Sequence, residues 1–158
     1  MVRNGRPDAT NYEHSMHQVA TLPTLDAFTT VYSHLRRPRD MPQNSDYHFF
    51  RAGIKPVWED ERNAKGGKWM VRLRKGLSSR LWEHLLMAVM GEQIQPADQV
   101  CGIVLSMRYQ EDIISLWTCD AADEAAKAQL RDDFKRLLCL PPSTVIEYKA
   151  HDQSMRDH

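Results

Sequence analysis

The chain has 158 residues, 42% hydrophobic and 27% charged, enough for one globular domain with a sizeable core. Its 21 lysines and arginines balance 21 aspartates and glutamates, so no overall field draws it to nucleic acid or membrane, and polyanion binding would need a local cluster of bases. No apolar run approaches the roughly 18 residues of a membrane span. The amino-terminal MVRNGRPDAT has no apolar signal region, and the three scattered cysteines, Cys101, Cys119 and Cys139, read as core thiols. The expected setting is cytosolic or nuclear.

Residues 1 to about 15 are polar and loop-like. In LPTLDAFTTVYSHL, the residues Leu25, Phe28, Val31, Tyr32 and Leu35 recur at spacings of three and four behind Thr24, which predicts an amphipathic helix with Thr24 as N-cap. DYHFF (46–50) and KWMVRLRKG (68–76) predict strands; in the second, Trp69, Val71 and Leu73 alternate with Met70, Arg72 and Arg74. SSRLWEHLLMAVMGEQ predicts a helix capped by Ser78 or Ser79 and ended at Gly91. VCGIVLSMRY and IISLWTC form a predicted hairpin across the turn QED. DAADEAAKAQLRDDFKRLLCLPP, acidic first and basic last, is a third helix stopped by Pro141 and Pro142, and STVIEYKAH is a closing strand. This order predicts an α+β fold, a mainly antiparallel sheet with helices on one face and the other face open to a ligand. One domain is expected over 1–158, with 1–11 and 152–158 flexible.

Enzyme signatures are sparse: no G-x-G-x-x-G, phosphate-loop lysine or G-x-S-x-G motif occurs. His14 and His17 have helical metal spacing, but nothing nearby completes a site, so they read as surface histidines. No catalytic residue, metal or cofactor is expected. The stretch GIKPVWEDERNAKGGKW raises a sharper question, because it places Trp58 beside Glu59 in a polar, glycine-bearing segment. Taken alone, Trp58 reads first as a packed side chain and Glu59–Glu61 as a solvated charge run. A flat cationic ligand carrying phosphates would nonetheless use Trp58 for stacking, Glu59 for ring N–H groups, and Lys68 and Arg108 for the anions.

Those residues carry a resemblance. GIKPVWEDERNAKGGKW, VCGIVLSMRYQEDIISLW and LCLPPSTVIEYKAH resemble the eukaryotic translation initiation factor 4E family, which binds the 7-methylguanosine cap of messenger RNA. GGKW, RLRKGLSSRLWE, GEQ and RYQEDIIS look most like the 4E-homologous, cap-binding repressor subclass. The resemblance runs from about Tyr12 to Met155 and implies a curved antiparallel sheet backed by three helices, with the cap on the opposite face. It implies that Trp58 and Tyr12 sandwich the methylguanine, that Glu59 reads the base edge, and that Trp117 approaches the N7-methyl group. Arg108 is then the main phosphate ligand, Lys68 a supporting base, and Arg156 in the tail a neighbour of the phosphates. Mainstream members carry lysines where this chain has Gln110 and Ile113.

Implied partners are capped messenger RNA and proteins bearing a tyrosine/leucine–hydrophobic helix, which would meet Leu25, Thr29, Glu83 and Met87. Thr29 stands where mainstream members carry a tryptophan. The family's aromatic-rich first strand does not appear before Tyr12, so the chain is incomplete or the sheet has lost a strand and exposes an edge. The expected function is non-enzymatic regulation of translation initiation, by a monomer that binds no membrane and is a weaker cap binder of repressor or specialised type. Two other classes remain: an aromatic-cage reader of methyl-lysine, which Lys68 and Arg108 oppose, and a nucleotide-processing enzyme, which lacks an identifiable nucleophile.

Overall fold

The computed structural model describes residues 14–156, and the chain divides at Leu35/Arg36 into two compact units. The first carries helix α1, Leu25–His34, where Thr24 caps as predicted: its hydroxyl accepts from the Ala27 N–H at 3.2 Å. Phe28 is buried and stacks on Tyr32 at 5.3 Å, while Leu25 and Thr29 share an exposed face. The predicted apolar stripe is covered at Phe28, Val31, Tyr32 and Leu35, whereas Leu25, read as part of it, is exposed.

The second unit is built on a five-stranded sheet in the order β1-β3-β4-β2-β5: β1 Ser45–Phe50, β2 Gly67–Arg74, β3 Val100–Met107, β4 Glu111–Thr118 and β5 Ile146–Ala150. Every neighbouring pair is antiparallel, and the fold is α+β, as expected. The β3–β4 hairpin closes with the Arg108 N–H on the Glu111 carbonyl at 3.1 Å, so the turn is RYQ and the second strand starts two residues earlier than its apolar run. A bulge between Val100 and Gly102 bends β3.

Alternation assigns the two faces. Trp69 and Val71 of β2 stand in register with Leu116 and Ile114 of β4, which pair with Ile103 and Leu105 of β3, and Leu73 on the same face stands opposite Asp112. These side chains are buried, together with Trp82, Leu85 and Leu86 of α3 (Ser78–Met90) and Leu130 and Phe134 of α4 (Glu124–Leu137). Trp69 also donates its indole N–H to the Lys127 carbonyl of α4 at 3.1 Å, which ties that helix to the sheet. The opposite face presents Met70, Arg72 and Arg74, the alternates read from the sequence, and Lys68 with them.

Several sequence expectations are corrected. Helix α3 starts at Ser78 behind Leu77 with no side-chain cap; Ser78 is buried, and the Ser79 hydroxyl instead accepts from the Arg39 N–H at 3.1 Å. Gly91 does end that helix but at φ −80°, and the left-handed residue is Glu92 at φ 52°. Helix α4 ends at Leu137, before Pro141 and Pro142, because the chain already turns through Cys139 at φ 50°. Cys101 is buried, but Cys119 is half-buried and Cys139 exposed, so only one of the three thiols lies fully in the core. After β5 the chain forms a short helix, α5, His151–Arg156.

Candidate functional site

The open face ends in a row set by register: Phe50 opposite Gly102, Gly102 opposite Trp117, Trp117 opposite Lys68, and Lys68 opposite Lys149. A Cβ at Gly102 would lie 2.4 Å from the Phe50 ring, so glycine is what lets Phe50 pack edge-on against Trp117, with ring centroids 5.3 Å apart. Trp117 is only 8% exposed, and its other neighbours are the Lys68 ammonium 5.7 Å from its centroid and the His151 ring 4.4 Å away.

The loop carrying Trp58 joins β1 to β2 and therefore leaves and re-enters the sheet at this same end. It is held from below. The Asp60 carboxylate accepts from the Lys55 and Arg62 N–H groups, both at 2.9 Å, and caps the one-turn helix α2, Glu61–Ala64. Asn63 is fully buried and donates its amide to the carbonyls of Lys55 and Val57, both at 2.8 Å. Ile54 packs on the cluster formed by Cys101, Val104 and Trp117. With its loop anchored in this way, Trp58 is half-buried, and its indole N–H donates to the exposed Glu59 carboxylate. A carboxylate has several lone-pair sites, so this bond orients Glu59 and leaves acceptor capacity for a second donor.

Where α2 meets β2, Gly66 is obligatory. A Cβ there would lie 1.7 Å from the Thr118 carbonyl oxygen, and the glycine's own carbonyl accepts the His151 N–H at 3.0 Å. Gly66-Gly67 is thus a close-approach joint that sets where β2 begins, one residue before Lys68.

Charge on this face is predominantly positive. Burial pushes the Lys68 ammonium below the usual lysine range; Lys149 and Arg108 add to the push, and Asp46 opposes it. Arg108 follows the end of β3 and reaches Asp46 at 2.9 Å. Three cations around one carboxylate destabilise one another, and an arriving anion would relieve that repulsion.

Of the residues named from the sequence, Trp58 and Glu59 lie together on the anchored loop, Lys68 and Trp117 are paired in register, and Arg108 lies in the turn two residues before Gln110, which is exposed. Ile113 opposes Arg72 and is half-exposed on the open face, not in the core. Arg156 is exposed in the last turn of α5, and Tyr12 lies outside the described residues. Glu83 and Met87 share an exposed face of α3. His14 and His17 are exposed, and no three His, Cys, Asp or Glu side chains gather as a metal site among the described residues. No helix there is long and apolar enough to cross a membrane. Sequence reading missed Asn63, Asp46, Lys149 and His151. A strand period carried from Lys68 through the closing strand would have pointed to Lys149; nothing local marks the others.

Fold and site together define a class: an open antiparallel sheet with helices on one face, basic and aromatic groups on the other, and an anchored loop carrying Trp58 and Glu59 at one end. The model of the eukaryotic initiation factor 4E family matches residues 2–158, and the chain belongs to that family. It is 46% identical over 153 residues to eukaryotic translation initiation factor 4E-4 of Caenorhabditis elegans, covering 97% of this chain and 72% of that one. It is 45% identical over 148 residues to eukaryotic translation initiation factor NCBP of Oryza sativa subsp. japonica, where 94% of this chain matches 65% of that relative. Among solved structures it is similar to C. elegans eIF4E-3 in complex with the 4E-binding protein Mextli and cap analog, with TM-score 0.89 and 32% identity over 99% of this chain and 88% of that one. Ascaris suum eIF4E-3 with m2,2,7G cap gives TM-score 0.86 and 34% identity over 96% of this chain and 84% of that one.

Proposed function

We propose that this chain binds the 7-methylguanosine cap of messenger RNA and regulates translation initiation in the cytoplasm, as a weaker-binding, repressor-type or specialised member of its family. The observation that carries this reading is the Trp58–Glu59 pair on an anchored loop that enters β2 one residue before Lys68, with Arg108 close enough to act on the Lys68 ammonium. Trp58 stacks on the methylated base, Glu59 accepts from its N–H groups, and the cations take the phosphates. Membership of a family with solved cap complexes supports it. The same cations oppose a methyl-lysine peptide, which would bring its own positive charge. Weak affinity follows from Gln110 and Ile113, which add no charge beside Arg108. A weak cap binder competes with a strong one only when a partner tethers it to the message.

The test is retention on immobilised 7-methylguanosine nucleotide. Elution by free methylated nucleotide, recovered intact, and not by its unmethylated form supports the reading. Equal elution by both forms refutes it, and a hydrolysed nucleotide would indicate an enzyme.

Arg108 separates phosphate binding from base binding. A charge-assisted hydrogen bond contributes about 1.5–3 kcal/mol, so Arg108→Ala is expected to weaken binding of the methylated triphosphate about tenfold or more. Binding of the methylated nucleoside should hardly change. Titration of both ligands checks this, and equal losses would remove Arg108 from the phosphate site.

Leu25 and Thr29 on α1, and Glu83 and Met87 on α3, are proposed contacts for partner proteins carrying a tyrosine/leucine–hydrophobic helix. Thr29 is exposed, and its hydroxyl is turned back to the Leu25 carbonyl at 3.0 Å, so it offers little apolar area. A large aromatic is the usual anchor at such a surface. Thr29→Trp is expected to tighten binding of a fluorescent motif peptide about tenfold, roughly 1.4 kcal/mol. An unchanged affinity would show that no anchor is lacking there.

A further inference from the structure

Charge is not spread evenly over this neutral chain. At the end of the sheet where β2 finishes and β4 starts, Arg72 and Arg74 are followed by Lys75 and, across a short loop, by Arg80 in the first turn of α3. The one-turn segment Pro38–Asp40 packs against that helix start, where the Arg39 N–H meets the Ser79 hydroxyl. Arg36 precedes this segment, and its carbonyl accepts from the Tyr47 hydroxyl at 2.8 Å. Three carboxylates offset part of the charge: Asp40 pairs with Arg39 at 3.8 Å, Glu111 with Arg72, and Asp112 with Lys75 at 2.6 Å. Arg36, Arg74 and Arg80 are exposed and have no acidic partner among the described residues. The start of α3 has no side-chain cap, so its first N–H groups add partial positive charge, and the first acid beyond Arg80 is Glu83, three residues on.

This patch adjoins the proposed phosphate ligand. The Arg108 N–H bonds the Glu111 carbonyl, and Glu111 stands opposite Arg74 in register, so only one residue separates the two arginines across the sheet. Lys68 lies six residues back along β2, about 20 Å at roughly 3.3 Å per residue, which keeps the patch distinct from the row that bears Trp117. Tyr109, in the same turn as Arg108, is 74% exposed, the most of any large apolar side chain described. An exposed aromatic beside guanidinium groups suits a single-stranded nucleic acid, whose bases stack on the ring while its backbone lies on the cations. Guanidinium groups also meet phosphate oxygens bidentately. A message held at its cap arrives with its backbone at Arg108, whereas an acidic protein segment has to find the patch unaided.

We infer that Arg36, Arg74 and Arg80 hold the sugar–phosphate backbone in the body of the message, by charge and without reading sequence, with Tyr109 as a stacking surface beside them. This rests on the cap-binding reading above. It gives a weak cap binder a contribution to affinity from the message itself. It also makes that contribution depend on salt, because each phosphate neutralised releases counterions.

The experiment compares a capped dinucleotide with a capped, unstructured RNA of about 12 nucleotides, each titrated between about 50 and 200 mM salt. The longer ligand is expected to bind about tenfold more tightly at the low end and to lose most of that advantage at the high end. Arg36→Gln, Arg74→Gln and Arg80→Gln combined should abolish the advantage and lower the log–log salt slope by about 2, at roughly 0.7 per phosphate contact on a single strand. Dinucleotide binding should stay as in the unmutated protein, which also shows that the variant is folded. Should the triple variant not fold, each substitution alone is expected to lower the slope by about 0.7. A control with Arg131→Gln, Lys135→Gln and Arg136→Gln removes the same charge from α4 and should keep the advantage. Equal affinity for the two ligands in the unmutated protein at low salt overturns the inference and leaves the cap reading standing. An equal loss in the control reduces the effect to net charge and overturns the patch. Patch variants that keep RNA binding but lose binding of a polyglutamate peptide would assign the surface to an acidic protein segment instead. Failure to bind either capped ligand overturns the cap reading and this inference with it.

Discussion

Trp58→Ala is expected to lower affinity for 7-methylated guanosine triphosphate about a hundredfold and to change binding of the unmethylated nucleotide far less. Methylation at N7 puts a positive charge on the guanine ring. A desolvated cation–π contact with indole is worth about 2 kcal/mol or more, and base stacking about 1–3 kcal/mol. A hundredfold loss corresponds to roughly 2.8 kcal/mol. The indole N–H also holds Glu59, so alanine removes the group that orients the carboxylate as well as the stacking surface. Trp58→Phe separates the two effects: it retains a ring for stacking but no N–H donor, and should fall between wild type and alanine. The fold should survive both changes, because Asp60 and Asn63 anchor the loop through its backbone. Titration by intrinsic fluorescence or calorimetry measures the ratio of methylated to unmethylated binding. An alanine variant that retains that ratio would remove Trp58 from the site.

A second large effect is expected on stability in mild acid. His151 is 1% exposed, packed against Trp117, and its Nε2 has no hydrogen-bond partner. Burial, helped by the Lys68 charge and opposed by Asp152, lowers its pKa to about 4. An unfolded histidine titrates near 6.5. Between those values the unfolded chain binds the proton that the folded chain refuses. The contribution is therefore complete above about pH 6.5 and is lost as pH falls toward 4, amounting to at most about 3 kcal/mol. Urea unfolding of wild type and His151→Gln at several pH values between 4 and 7 tests this. Wild-type stability should fall more steeply than that of the variant, and parallel curves would refute it. Because His151 touches Trp117 and its N–H bonds Gly66, the same acid step should disturb the end of the sheet that the Trp58 loop re-enters.

Much of this protein is legible as local pattern. Alternation in KWMVRLR separates Trp69, Val71 and Leu73 from Lys68, Met70 and Arg72, and the sheet keeps that division because neighbouring residues of a strand point to opposite faces. Thr24 marks its helix start because a cap bonds within its own turn. Trp58, Glu59, Lys68 and Arg108 stand out as residue types, and their motifs carry the family resemblance. Local rules misplace the start of α3, where a buried Ser78 and a hydroxyl contact to Arg39 replace the expected serine cap. They also misplace Cys139, whose apolar surroundings in sequence are not its surroundings in space. What only the tertiary structure decides is what meets across the chain: Asp46 with Arg108, His151 with Trp117, Asn63 beneath the Trp58 loop, and Ile113 beside Glu147 and Val145. Each depends on strand order and register, which bring residues tens of positions apart into contact, and periodicity within one segment carries no information about its neighbours in space.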